Sequence, residues 1–155
     1  MPAELMRRAI ALALENVRTA RGGPFAALVA KHGSVIGEGA NSVTATNDPT
    51  AHAEIVAIRA ACRALGTFQL TDCELYTTCE PCPMCLGAIY WARPDRVFYA
   101  ATASDAAAAG FDDSFIYEEL NRAQADRRIP LEPMMREAGL EPFREWNEKN
   151  DRVRY

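Results

Sequence analysis

The chain has 155 residues, 49% of them apolar and 25% charged, and carries a formal net charge of −4 at pH 7. That length and balance fit one soluble globular domain with a substantial core, and exclude a disordered or fibrous chain. The basic residues are scattered, with only Arg127-Arg128 and Arg152/Arg154 as local groups, so the continuous basic stripe of a nucleic-acid binder is missing and no nucleic-acid partner is expected. The longest apolar stretch, around Met84–Ala92, is too short for a bilayer. Glu4, Arg7 and Arg8 interrupt any apolar run at the start, so no secretory leader is expected. Five cysteines, three of them within Cys79–Cys85, are spaced unlike a disulfide framework and read as reduced thiols of a cytoplasmic protein.

In chain order, Leu5, Ala9, Leu12 and Asn16 share a helical face, which predicts a helix over 3–20 stopped by Gly22-Gly23-Pro24. The apolar runs Phe25–Lys31 and Val35–Gly39 flank His32-Gly33-Ser34 and predict a hairpin. Asp48-Pro49-Thr50 is a helix-entry signal. The helix that follows has Ile55, Ile58, Cys62 and Leu65 on one face and ends at Gly66. Cys73–Thr78 predicts a buried strand. Pro83 opens an almost wholly apolar helix, Met84–Ala92, expected to be buried on most sides. Beyond Arg93-Pro94, the pattern predicts a strand over Arg96–Ala100, a helix over Ser114–Ala123, an edge strand over Ile129–Met134 and a terminal helix over Pro142–Asn150. Strands alternating with helices after a hairpin indicate an α/β layered domain with a mixed sheet. No linker or internal repeat divides the chain, so residues 1–155 are expected to form a single domain.

Two fragments carry the chemistry: His52-Ala53-Glu54 and Pro81-Cys82-Pro83-Met84-Cys85. They supply one imidazole, one carboxylate and two thiolates as H-x-E…P-C-x-x-C, the signature of zinc-dependent nucleobase deaminases. Three protein ligands with an open fourth position mark a catalytic zinc, whereas four mark a closed structural site. Of the two histidines, His32 falls in an exposed turn, which leaves His52 as the ligand. Cys82 and Cys85, three apart at a helix N-terminus, direct both sulfurs to one side, where the helix dipole favours thiolates. Cys79 extends the run to C-x-x-C-x-x-C, so a closed Cys3His site and an iron–sulfur cluster stand as alternatives. Neither gives Glu54 a task. Cys62 and Cys73 read as core residues. In the three-ligand reading zinc brings the pKa of a water towards neutrality. Glu54 then takes the water proton and passes it to a ring nitrogen and the departing amine.

Further segments extend the pattern: Gly22-Gly23-Pro24-Phe25, Asn41, Asn47-Asp48-Pro49-Thr50-Ala51-His52-Ala53-Glu54, Cys79 to Trp91, and Gly110-Phe111-Asp112-Asp113-Ser114-Phe115-Ile116-Tyr117. With an aromatic C-terminus ending in Tyr155, these resemble the bacterial guanine deaminases of the cytidine-deaminase-like superfamily. The resemblance covers nearly the whole chain and is weakest over 124–150. The zinc motif and the Asn47–Glu54 segment are shared with tRNA adenosine deaminases. Phe111–Phe115 and Trp91 resemble guanine deaminases more particularly.

The resemblance implies a three-layer α/β/α sandwich with a mixed, about five-stranded sheet, one Zn2+ per chain, and hydrolysis of guanine to xanthine and ammonia. It also implies a homodimer, and a tail over 140–155 that covers the active site of its own or a neighbouring subunit. By the same resemblance Asn41 holds the purine, Asp113 lies near the amino group as a catalytic or binding carboxylate, and Tyr155 joins the lid. Ala53 is a further candidate substrate contact. Phe25 and Trp91 suit the apolar walls a flat base needs, or equally a core. Asn41 also reads as a turn residue, and Asp113 as a cap for the helix at Ser114, a role for which Asp112 competes. Alternative functions are tRNA adenosine deamination, deamination of cytosine or an aminotriazine, and a zinc-stabilised module without catalysis.

Overall fold

Short apolar runs of alternating facing build a four-stranded sheet in the computed structural model, which describes residues 2–155. The strands are β1 (Ala26–Lys31), β2 (Ser34–Ala40), β3 (Cys73–Cys79) and β4 (Arg96–Ala101), ordered β2-β1-β3-β4. β1 runs antiparallel to both its neighbours, and β3 and β4 are parallel. The helices are α1 (Pro2–Arg18), α2 (Val43–Thr46), α3 (Ala53–Leu65), α4 (Pro83–Ala92), α5 (Ala103–Ala108), α6 (Ser114–Leu120), α7 (Arg136–Gly139) and α8 (Glu141–Glu148). The chain divides into two compact units, Met1–Asp113 and Ser114–Tyr155.

Within the first unit the period-two facing of the strands separates two cores. Leu28, Ala30 and Tyr76 pack with Leu5 and Ala9 of α1 on one face. Ala27, Val29, Cys73 and Leu75 pack on the other with Ala53, Ala57 and Ala61 of α3 and with Ile89 and Ala92 of α4. The result is the α/β/α layering, with a mixed sheet of four strands rather than about five.

The contact between α3 and β2 is unusually close. A Cβ built on Gly39 would lie 2.6 Å from both the Ala53 oxygen and the Ala57 nitrogen, and one on Gly37 would lie 2.6 Å from the Ala61 nitrogen. Ala53, Ala57 and Ala61 recur every four residues, so a smooth helical stripe rests directly on strand backbone. That seat fixes the helix that begins beside His52.

Several sequence expectations shift. Asp48-Pro49-Thr50 forms a turn and not a helix start: Asp48 Oδ1 accepts from the Thr50 N–H at 2.8 Å and from its hydroxyl at 2.7 Å. The helix begins only at Ala53, with His52 as its N-cap. Ile129–Met134 forms no strand, because Pro130 and Pro133 remove two ladder donors from a six-residue run. The second unit is helical, with α6 shorter than expected and α8 close to its predicted span. α4 is not buried on most sides: Cys85, Ile89 and Ala92 face inward, while Leu86, Tyr90 and Trp91 are exposed. α2 and α5 went unread, the first being one turn of mostly β-branched residues with low helix propensity.

Candidate active site and metal centre

Two helix starts supply the metal-ligating groups. His52 and Cys82 are the N-cap residues of α3 and α4, both in extended backbone geometry. Pro83 suits the first turn of α4, having no N–H to leave unsatisfied. Cys85 follows one turn later, its N–H donating to Cys82 Sγ at 3.5 Å. The ligand atoms of His52, Cys82 and Cys85 all lie within 4.8 Å of one another. His52 Nδ1 stands 3.6 Å from each sulfur. Tetrahedral zinc, with bonds of about 2.3 Å to sulfur and 2.0–2.1 Å to nitrogen, requires an N···S separation of about 3.6 Å. The donor set and its spacing therefore fit zinc.

Cys79, at the end of β3, is not part of this group. Its thiol donates to the Thr102 carbonyl at 3.6 Å, and burial pushes its pKa up to about 11. Among the described residues the constellation thus has three protein donors, not the four of a closed site. Cys82 is drawn down to about 4, first by the hydrogen bond from the Cys85 thiol and then by His52. The same thiol–thiol bond, with burial, pushes Cys85 up. His52 is raised chiefly by its bond to Cys82.

Glu54 lies one residue inside α3, 6% exposed, hydrogen-bonded with the Cys85 thiol. Burial raises its pKa, aided by the Cys82 charge. A carboxyl so raised keeps its proton to higher pH than an ordinary glutamate, the direction a proton shuttle needs. Asp113, half-buried, is likewise raised by burial and then by the charge of Cys82, which places it within electrostatic reach of the same centre.

The remaining expected site residues fall in several places. Phe25, half-buried, meets Phe111 edge-on with ring centroids 4.9 Å apart, an aromatic pair that sequence reading did not single out. Asn41 follows β2, and its Oδ1 accepts long hydrogen bonds of 3.4 Å from the N–H groups of Gly23 and Val43. Two backbone donors on the carbonyl set the amide's orientation, so its NH2 points away as the available donor. Ala53 is fully buried as the first residue of α3, where a backbone N–H has no intrahelical partner. Trp91 is 63% exposed near the far end of α4, and Tyr155 lies exposed in the second unit.

No helix among the described residues is long and apolar enough to cross a membrane. Residues 2–101 match the model of the cytidine and deoxycytidylate deaminase zinc-binding region, and the chain belongs to that family of hydrolytic deaminases. It is 55% identical over 150 residues to the guanine deaminase of Bacillus subtilis (strain 168), covering 97% of this chain and 96% of that one. The crystal structure of guanine deaminase from Bacillus subtilis superposes with a TM-score of 0.96 at 54% identity, over 99% of this chain and 98% of that one. A tRNA-specific adenosine deaminase of Aquifex aeolicus is 47% identical over 78 residues, 50% of this chain and 52% of its own.

Proposed function

We propose that this chain hydrolyses guanine to xanthine and ammonia. The observation that carries the substrate assignment is the 55% identity to a guanine deaminase over 97% of the chain. Similarity to tRNA-specific adenosine deaminases extends over 50% to 68% of it. The site itself supports the reaction class. In our reading His52, Cys82 and Cys85 would hold one zinc per chain, which would supply Lewis-acid activation of a water. Glu54 takes one proton from the attacking water and delivers it to the ring nitrogen beside the attacked carbon, then relays the second, from the hydroxyl that becomes the new carbonyl, to the leaving amine, so one water enters and one ammonia leaves.

Asn41, oriented by Gly23 and Val43, offers two N–H donors to the purine. Guanine presents two adjacent acceptors, O6 and N7, where adenine presents one acceptor and one donor. A donor-only partner therefore favours guanine. Asp113 holds the amino group, the Ala53 N–H adds a backbone contact, and Phe25 and Trp91 supply apolar walls.

The exposed Leu86, Tyr90 and Trp91 on α4 support a homodimer, since an apolar helix face of this size is normally covered. We read the whole chain as one deaminase domain in which residues 140–155 form a helix and covering tail ending at Tyr155, closing its own or its partner's site. The free cysteines support a cytoplasmic setting. The test is ammonia release by zinc-loaded protein from guanine, cytosine, adenine, their nucleosides, ammeline and tRNA. Release from guanine is the expected outcome. Release only from cytosine, or only from tRNA adenosine, overturns the assignment.

A further inference from the structure

We infer that Asn16 is a positioning residue of the substrate pocket, tying the loop that carries Phe25 to the residue that orients the purine; this rests on the guanine-binding role proposed for Asn41. Asn16 is 4% exposed near the C-terminal end of α1, on the face otherwise formed by Leu5, Ala9 and Ala13. Asparagine is a poor residue for a helix interior, and a buried amide is costly unless its hydrogen bonds are made. Here its Nδ2 donates to two carbonyls at once, Gly23 and Asn41, each at 2.9 Å. These carbonyls belong to separate segments, seven and twenty-five residues away. Between them the backbones are almost in contact: a Cβ on Gly22 would lie 2.0 Å from the Asn41 oxygen and 3.1 Å from Asn16 Nδ2.

The geometry forms a short chain of restraint. Asn16 clamps the Gly23 and Asn41 main chains together. That clamp brings the Gly23 N–H to the Asn41 side-chain oxygen. The Gly23 bond, with that from Val43, turns the Asn41 NH2 outward. The same segment continues into Phe25, whose carbonyl accepts from the Asn41 N–H at 2.9 Å. Asn16 touches no reacting atom. Its effect reaches the base only through Asn41 and Phe25.

Because Asn41 contacts the base away from the bond being broken, it binds ground and transition states alike, and loosening it raises KM with little change in kcat. Asn16→Ala is expected to raise KM for guanine about tenfold, the loss that one neutral hydrogen bond brings, with kcat held within about twofold. In an Asn41→Ala background the same substitution raises KM by clearly less than it does in wild type, because only the path through Phe25 remains. A fall in kcat at constant KM, or full additivity in the double variant, overturns the inference. If Asn16→Ala does not fold, Asn16→Asp, of equal size and without the paired donors, is read for the same split. Amide hydrogen exchange at Gly23 and Val43 separates this inference from the guanine reading. Faster exchange in the Asn16 variant supports the clamp even if wild type leaves guanine untouched, and unchanged exchange refutes it.

Discussion

Replacing Gly39 with alanine tests whether the seat of α3 on β2 sets the metal geometry. The new methyl would lie 2.6 Å from the Ala53 oxygen and the Ala57 nitrogen, both backbone atoms that cannot swing aside. Reaching ordinary contact near 3.4 Å requires the start of α3 to lift by about 0.8 Å, since close-packed interiors transmit such strain. His52, the N-cap adjoining Ala53, moves with it while Cys82 and Cys85 stay on α4. The 3.6 Å spacing from Nδ1 to the sulfurs is then lost. Overpacking costs about 1–3 kcal/mol, which lowers Tm by roughly 3–10 °C in a chain of this size. Displacing a ligand by nearly this distance should reduce zinc affinity and kcat about 10- to 100-fold. Gly37→Ala is the control. It meets Ala57 and Ala61 at 2.6–2.9 Å, about one and a half to two and a half turns from His52, so it should lower Tm similarly and leave zinc affinity near wild type. Chelator competition, kcat and a melting curve on both variants give the answer. Equal zinc affinity in Gly39→Ala and wild type would refute the reasoning.

Glu54→Ala should keep its zinc and its fold while kcat falls about 10²- to 10⁴-fold, as loss of a general acid–base group does; substantial turnover in that variant would remove Glu54 from the mechanism. Cys79→Ala should still bind about one zinc per chain by metal analysis, and loss of the metal would restore the closed-site alternative. Deleting Asp151–Tyr155 should lower guanine turnover sharply with zinc retained, whereas unchanged turnover would count against a covering tail. Tyr76 is 1% exposed, and burial together with donation to Glu74 at 2.5 Å pushes its hydroxyl up to about 12. The folded protein keeps that proton where the unfolded chain begins to release it near pH 10. Stability is therefore complete below pH 10, and about 2 kcal/mol of it is lost as pH rises towards 12. Denaturant midpoints across that range should fall less in Tyr76→Phe than in wild type, and parallel curves would refute the assignment.

The legible features of this chain were local ones. His52 and Glu54 are two residues apart, and Cys82 and Cys85 three, so chain geometry alone brings each pair to one helix start. The strands near the site were readable because their apolar runs are bounded by turn residues. Asn16 read only as one member of a helix face, because its partners are set by how α1 meets two other segments. Phe111 likewise gains meaning only from Phe25. The apolar composition of α4 describes what the helix avoids, not what covers it, so Leu86, Tyr90 and Trp91 were assigned to a core that the chain does not build around them. Ile129–Met134 has strand-like composition, but its two prolines decide the outcome.

Placing two of the three proposed ligands, His52 and Cys82, at the N-caps of α3 and α4 has a consequence for folding. His52 and Cys82 are 30 residues apart in the chain, and an ion held by both is a cross-link that closes the intervening helix, loop and strand into a ring. Closing a ring of that size removes chain entropy from the unfolded state worth about 3–4 kcal/mol in a loop-closure treatment. Its effect on stability also rises with free metal by mass action. The melting temperature would then report the zinc supply of the surroundings, and scarcity would lower the molecule's stability along with its activity.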